Sequence, residues 1–596
     1  MPEQEGNYWT RSLGRRRLLR GGAIGGAGLA AAALIGCGGE EEAPPSVGTP
    51  ATGAPTAAAP AATGTSADPA VSATRKYPFT LPEVGTPKKG GKLTNATNSD
   101  IGSFDTTKSG AIGNYQHTGT VYDTLLRWRM TRDEAELPSR ELDNDIENNL
   151  AESRELGPDG LKLIVQLRPG IVWQNVAPLN GRAFTSEDVA YAYNRYAAEG
   201  VHRGNFEFLE SIETPDALTV VFNLMRPSPD FIVPLAEQNL AIFPREIVEN
   251  GSIDRVAIGT GPFIQTEAIQ SDHASYIRNP DYWGHEPYLD EYEIRIMPDA
   301  AARLAGFRAG QLGTGGATNE AALQDVLKTN PDIQVTQGRR VKSIFAAVFN
   351  QQDPKWQDKR VRQALMLAID RDEINELLYD GLSETLPVIP WHHVYDHVPT
   401  YEAGELGPWW RYDPDEAQSL LRAAGAEGLT FNYLYWSGYL GDQTDVWVDQ
   451  LRRIGVTMNL QSVDYTEFNS QLASVTYPDA TLGWDLHGTQ ADNYFRTQLL
   501  STSAGNWHNI NDPELDQWAE DQSVELDPQA RREILLKMWH RVLEDAHRVE
   551  HPNSAAFGMR HAWLQGVQWT VGNDGLAGST FGYNNSQFIP YIWLDK

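Results

Sequence analysis

The chain has one cysteine in 596 residues, Cys37. A single thiol excludes an intrachain disulfide framework and a thiolate metal cluster. Basic side chains are also scarce: 49 Lys and Arg face 79 Asp and Glu, a formal net charge of −30. Such a field repels nucleic acid phosphates and anionic bilayer surfaces, so neither is an expected partner. Enzyme signatures are missing as well: HExxH, GxSxG and CxxC do not occur. "KKGGKLTNAT", Lys88 to Thr97, is not a phosphate loop, because Leu93 stands where a Ser or Thr would bind Mg²⁺. "DNDIENN", Asp143 to Asn149, alternates acids like a calcium loop but lacks the turn glycine and closing Glu. No catalytic residue, metal or cofactor is expected, and no internal repeat is visible.

What is present begins with export. "GRRRLLR", Gly14 to Arg20, precedes the uncharged run Gly21 to Gly36, a basic n-region followed by an apolar h-region. The run is shorter than the roughly 20 residues a bilayer span needs. Arg15-Arg16-Arg17-Leu18-Leu19-Arg20 resembles a twin-arginine export motif, and Leu34-Ile35-Gly36-Cys37 resembles a bacterial lipobox. Residues 1–36 read as a signal peptide and Cys37 as the lipidation site, a tether to the cell membrane. Loss of residues 1–36, with their five basic and two acidic side chains, takes the formal charge from −30 to −33. From Gly38 to Lys76 there is no aromatic residue, and Pro, Ala, Thr, Gly and Ser dominate. Residues 37–87 read as lipidated cysteine plus disordered spacer, with the body held outside the cytoplasm.

The remaining chain alternates short apolar strands with helices, the rhythm of α/β proteins. "LKLIVQLRPG", Leu161 to Gly170, is a strand ending at a turn. "TSEDVAYAYNRYAA", Thr185 to Ala198, opens with a Thr cap and first-turn acids. Lys359 to Tyr379 places Val361, Ala364, Leu365, Ala368 and Ile369 on one helical face. Asp413 to Gly425 is a helix with an acidic start and a glycine stop, and Asp512 to Ala546 gives two more. Seventeen Trp and 23 Tyr supply core packing or line a cleft.

Seven blocks in order carry a family resemblance: Val121–Trp128, Leu163–Ala192, Gly259–Phe263 ("GTGPF"), Ile277–Glu291, Arg360–Ile374, Tyr412–Gly425 and Asn509–Gln522. The chain resembles the family 5 extracellular solute-binding proteins of bacterial ABC importers, the oligopeptide and dipeptide group, over roughly residues 88 to 596. That resemblance implies a two-lobed, periplasmic-binding-protein-like type II α/β fold with an extra subdomain inserted in lobe one. Lobe one would cover residues 88–340 and return over 555–596, with lobe two at 341–554. The lobes would close over a ligand, and the closed form would dock on a permease.

The resemblance also points to a site. In peptide binders of the family an aspartate after "GW" pairs with the ligand α-amino group. Here the stretch Leu482 to Ser501 offers Trp484, with His487 in the slot of that aspartate, Asp485 two residues earlier and Asp492 five later. A neutral imidazole brings no charge to an ammonium group. Either Asp485 takes over or the ligand lacks a free α-amine. A proline-bounded loop, Ile389 to Pro399, contributes Trp391 and His392 as cleft-lining candidates. His393 and His397 are four apart in it, so metal binding and a plain surface loop stand as other readings. Lobe one offers Tyr115 and Gln116 from "GAIGNYQH", Gly110 to His117. The expected function is a lipid-anchored, monomeric receptor delivering a peptide or peptide-like solute to an ABC permease. An oligosaccharide receptor, a peptide-binding sensor or chaperone, and an enzyme are the alternatives.

Overall fold

The acidic excess is used at helix starts. A helix leaves its first N–H groups unpaired, and a short oxygen-bearing side chain just before it can accept from them, typically worth about 1 kcal/mol. Asp370, Asp413, Asp464, Asp512 and Asp527 each do this for the helices Arg371–Tyr379, Pro414–Ala423, Tyr465–Ala473, Pro513–Val524 and Pro528–Glu544. Thr185 and Asp188 form a reciprocal capping box at Ser186–Ala198. The Lys359 to Tyr379 stretch is two helices rather than one, Lys359–Leu367 and Arg371–Tyr379. Asp370 ends one and caps the next by accepting from Glu373 N–H at 2.9 Å.

The computed structural model describes residues 76–78, 85–108, 112–131, 142–317, 319–337, 345–383, 385–436, 441–484, 491–503, 505–553, 557–570 and 585–596. Cys37, the export segment, Asp485 and His487 lie outside them. All described residues fall in one compact unit, Ala67–Lys596. Among them no helix is long and apolar enough to cross a membrane.

The chain folds as two α/β lobes. In the first, the strands Lys92–Thr97, Glu291–Ile296, His273–Arg278 and Phe263–Ile269 form a sheet in that order, its first pair parallel and the others antiparallel. A second sheet is fully antiparallel, in the order Ala151–Leu156, Lys162–Leu167, Thr219–Leu224, Leu209–Asp216. Helix Ser186–Ala198 packs on it with Val189, Ala192, Tyr193 and Tyr196 buried. The two sheets share one apolar core, which also takes in Leu564, Phe588, Ile592 and Leu594 near the C-terminus.

The second lobe is built on a mixed five-stranded sheet, in the order Thr457–Val463, Thr430–Trp436, Ala480–Trp484, Phe345–Phe349, Arg548–Glu550. Register pairs Phe345 with Trp484 and Phe349 with Ala480. Its strand Phe345–Phe349 is buried at every position, as expected of a central strand covered on both faces. Val361, Ala364, Leu365, Ala368 and Ile369 join its core, so the face read from spacing is the buried face. A smaller three-stranded sheet sets the C-terminal strand Phe557–Arg560 between Thr314–Ala317 and Gln334–Gln337, antiparallel to both.

The "GTGPF" block shows why glycine is needed at two positions. Gly261 N–H donates to Val121 O at 2.9 Å where helix Ile112–Val121 ends. A Cβ on Gly259 would sit 1.9 Å from that same carbonyl oxygen, and one on Gly261 2.4 Å from it. Backbone against backbone cannot yield as a flexible side chain can. Gly259→Ala is expected to destabilise the first lobe by about 1–3 kcal/mol, read as a lower midpoint in urea unfolding followed by tryptophan fluorescence. An unchanged midpoint would show that this loop moves off the helix end freely.

Candidate functional site

The lobes meet at a seam of charged side chains. Three segments of the second lobe supply it: the short helix Ala491–Tyr494 with the π-turn Phe495–Leu499, the helix Pro513–Val524 and the helix Pro528–Glu544. The first lobe contributes Glu207 ahead of strand Leu209–Asp216, and Arg226 and Asp230 after strand Thr219–Leu224.

Asp230 enters a socket on the second lobe. Arg531 grips both its oxygens, at 2.6 and 2.8 Å, the bidentate geometry that makes guanidinium–carboxylate pairs strong and directional. Both side chains are only 13% exposed. The backbone N–H of Asp492 donates to Asp230 as well, and the charge of His393 favours its ionised form. Burial works against that charge, but Arg531, His393 and the N–H outweigh it and hold the Asp230 carboxyl below its ordinary range.

Asp492 shows the opposite balance. Burial and the neighbouring Asp230 carboxylate push its carboxyl up to about 7, against the pull of Arg531 and Arg496 and a hydrogen bond from Gln522. Gln522 joins the two acids through one amide: its Oε1 accepts from Arg531 Nη2 at 3.1 Å while its Nε2 donates to Asp492 Oδ1. Beside this pair runs a ladder of crossing ion pairs. Arg226 donates to Glu520 at 2.6 Å, Arg496 to Glu520 at 2.8 Å, and Arg496 to Glu207 at 2.6 Å. The ring of Phe208 lies between the two guanidiniums, 3.8 Å from Arg226 and 4.8 Å from Arg496.

The residues singled out from sequence fall in different places. Asp492 lies at this seam, close to Asp230. Trp484 ends the strand Ala480–Trp484, paired with Phe345. Trp391 and His392 are buried in a single turn, Trp391–His393, and Arg532 donates to Val394 O just beyond it at 2.7 Å. Through His393 this loop faces Asp230. Tyr115 and Gln116 lie on helix Ile112–Val121 of the first lobe. Asn239 donates to the Tyr115 hydroxyl at 3.2 Å, and Gln116 Oε1 is buried without a hydrogen-bond partner.

Metal-ligating potential is limited among the described residues. His397 has both ring nitrogens at 2.8 Å from carboxylates, Asp396 and Glu405, which raise its pKa. Its imidazole is thereby engaged in ion pairing, not offered with His393 to an ion. Asp512, Asp545 and His547 converge with ligand atoms within 4.8 Å. Arg541 Nε already lies 2.8 Å from Asp512 and 3.0 Å from Asp545, so a guanidinium supplies the positive charge there.

Sequence reasoning missed Asp230, Arg531, Gln522, Arg496, Glu520, Glu207 and Arg226. The one local signal was an acid set among prolines and apolar residues in "RPSPDFIVP", Arg226 to Pro234.

The fold agrees with comparisons to known proteins. The model of the family described as bacterial extracellular solute-binding proteins, family 5 (middle region) matches residues 145–506. A putative ABC transporter peptide-binding protein of Brucella ovis is 29% identical over 393 residues, covering 62% of this chain and 70% of that protein. Heme-binding protein A of Haemophilus influenzae is 26% identical over 407 residues, 61% of this chain and 70% of that protein. The structure of the oligopeptide-binding protein AppA of Bacillus subtilis, in complex with a nonapeptide, superposes with a TM-score of 0.67 at 22% identity. That alignment covers 86% of this chain and all of AppA. The chain belongs to the family 5 extracellular solute-binding proteins. It is, by that family's description, an extracytoplasmic solute-binding protein.

The two acids at the seam should be separable by titration. Infrared difference spectra between about pH 5 and about pH 9 are expected to contain a protonated carboxyl band that disappears in Asp492→Asn and shifts to lower pH in Asp230→Asn. Persistence of the band in Asp492→Asn would assign it elsewhere.

Proposed function

We propose that the chain is the membrane-tethered receptor of an ABC importer, a monomer that captures a peptide or peptide-like solute between its lobes and catalyses no reaction. Residues 1–36 are removed on export, Cys37 carries the lipid, residues 38–75 are the leash, shorter than the expected 37–87 because Lys76 and Tyr77 are held to the body by Glu320 and Gln337, and the lobe boundaries near residues 340 and 555 are the hinge crossings. Family membership supports the importer role. The feature that bears most on the ligand is the partly buried Asp492 carboxylate, held where the lobes meet, whose pKa burial and Asp230 raise to about 7.

A buried carboxylate that resists ionisation is a place where a ligand cation gains most by binding, because it relieves the cost of the isolated charge. An ammonium or guanidinium group on the solute would supply that charge, and either Asp485 shares the pairing or, with His487 in the aspartate's slot, the solute lacks a free α-amine. Gln116, with its unpaired carbonyl oxygen, would receive a donor from the same solute on the first-lobe side. Tyr115, Trp391, His392 and Trp484 would shape the cleft around it.

Two experiments test this reading. A thermal-shift screen of di- to nonapeptides and oligosaccharides is expected to show stabilisation by amine-bearing peptides, about 2.7 kcal/mol at a hundredfold excess over Kd. The effect should weaken in Asp492→Asn. Stabilisation by sugars alone would overturn the peptide assignment. For the tether, Cys37→Ala is expected to move the protein from the membrane fraction to the soluble extract, and continued sedimentation with membranes would refute lipid attachment.

A further inference from the structure

The seam does more than line a site. Every ion pair in it joins a first-lobe residue, or a residue already paired with one, to the second lobe: Asp230 to Arg531, Glu207 to Arg496, and Arg226 to Glu520. An apolar contact lies alongside. Leu526, between the helices Pro513–Val524 and Pro528–Glu544, reaches Gly160 in the hairpin turn after strand Ala151–Leu156, so near that a Cβ on Gly160 would stand 2.7 Å from Leu526 Cδ1. All these first-lobe contacts come from the four-stranded antiparallel sheet and its connecting loops, a region separate from the sheet that includes Lys92–Thr97.

We propose that Asp230 is the bolt of an intramolecular latch: the antiparallel sheet of the first lobe holds the clamp shut by seating this carboxylate against Arg531 and the Asp492 N–H, and seating it takes up one positive charge at Asp492. Like-charge repulsion between the two carboxyls carries the second half of this statement. Closure brings the Asp230 carboxylate beside another carboxylate in a buried place, where like charges repel strongly. The groups that face Asp492 are Asp230 from the first lobe, Arg531 and Gln522 from two helices of the second, and Arg496 from its own segment; His393 faces Asp230. Arg496 is shared with Glu207 and Glu520, and Arg531 is committed to Asp230. When both aspartates are ionised, four carboxylates, Asp230, Asp492, Glu207 and Glu520, meet three guanidiniums, Arg531, Arg496 and Arg226, and the seam balances only with a proton on Asp492 or on His393. That proton serves in the empty protein, and a ligand cation replaces it when solute is bound. The latch uses only the two-lobed fold and the seam contacts. It does not depend on the peptide assignment.

The sign of the pH effect follows. Released from the seam, Asp492 regains an ordinary carboxylate pKa of about 3.9; seated, it titrates at about 7. Its ionisation penalises the closed form progressively as pH rises through that interval, and the penalty is constant above it. Lowering the pH from about 8 to about 5 should raise the closed-to-open ratio about tenfold or more, since inside that window each fall of one in pH multiplies the ratio about tenfold.

The test needs no ligand. Small-angle scattering of the full chain carrying Cys37→Ala, without added solute, is read at about pH 5 and about pH 8, with Asp492→Asn and Asp230→Asn alongside. The expected result is a smaller radius of gyration at the lower pH for the parent, a compact form with a much weaker pH response for Asp492→Asn, and a more open form at both pH values for Asp230→Asn. If Asp230→Asn fails to fold, Glu520→Gln, on the partly exposed ladder, is expected to open the chain at the lower pH and to weaken the pH response, because Arg496 is then freer to offset Asp492. The proposal is overturned if the parent has one radius at both pH values, if Asp492→Asn keeps the parent's pH response, or if neither Asp230→Asn nor Glu520→Gln opens the chain. Such a result would leave the solute-binding reading standing, and a failed peptide screen would leave the latch standing.

Discussion

The arrangement of the lobes depends on a carboxylate from one half meeting a guanidinium from the other in a place nearly closed to water. Such a pair contributes little net stability, because removing two charges from water costs about what their attraction returns. Its value is in geometry. Two parallel hydrogen bonds between Arg531 and Asp230 accept one orientation of the halves and reject neighbouring ones. The flanking pairs through Arg226, Glu520, Arg496 and Glu207 are more exposed and softer. They spread the same requirement over a wider face without making the halves inseparable.

Much of the fold was legible in the sequence for local reasons. Helix starts carry their own signal, so the elements after Thr185, Asp413, Asp512 and Asp527 lie where a short polar residue followed by apolar spacing put them. The strand within "LKLIVQLRPG" stands at Lys162–Leu167 because alternation and a turn glycine are both short-range. The Lys359 to Tyr379 stretch was right about its buried face yet silent about the break, since Asp370 reads equally well as a solvated residue inside one helix or as a cap between two. The class of fold came from seven blocks in order, information that no single block holds.

The seam was not legible, and the reason is distance along the chain. Asp230 and Arg531 are 301 residues apart, Glu207 and Arg496 289. Nothing near either residue distinguishes it from the many acids and bases that cap helices or face solvent. Asp492 was reachable only through its place after Trp484 in the family pattern. What the pattern could not convey is that Asp492 sits against a second carboxylate from the other lobe. The histidine loop illustrates the converse error open to sequence reading: His393 and His397 have metal-like spacing, but Asp396 and Glu405 hold His397 on both sides.

Both described ends of the folded body belong to the same half. Lys88 pairs with Asp595 at 2.5 Å, and Lys596 lies over the ring of Trp563, so the stretch leading into strand Lys92–Thr97 and the last residues are fastened at one corner. The other half is an internal excursion with no free end of its own. A pull on the stretch before strand Lys92–Thr97 or on Lys596 is therefore borne first by the half that holds them both.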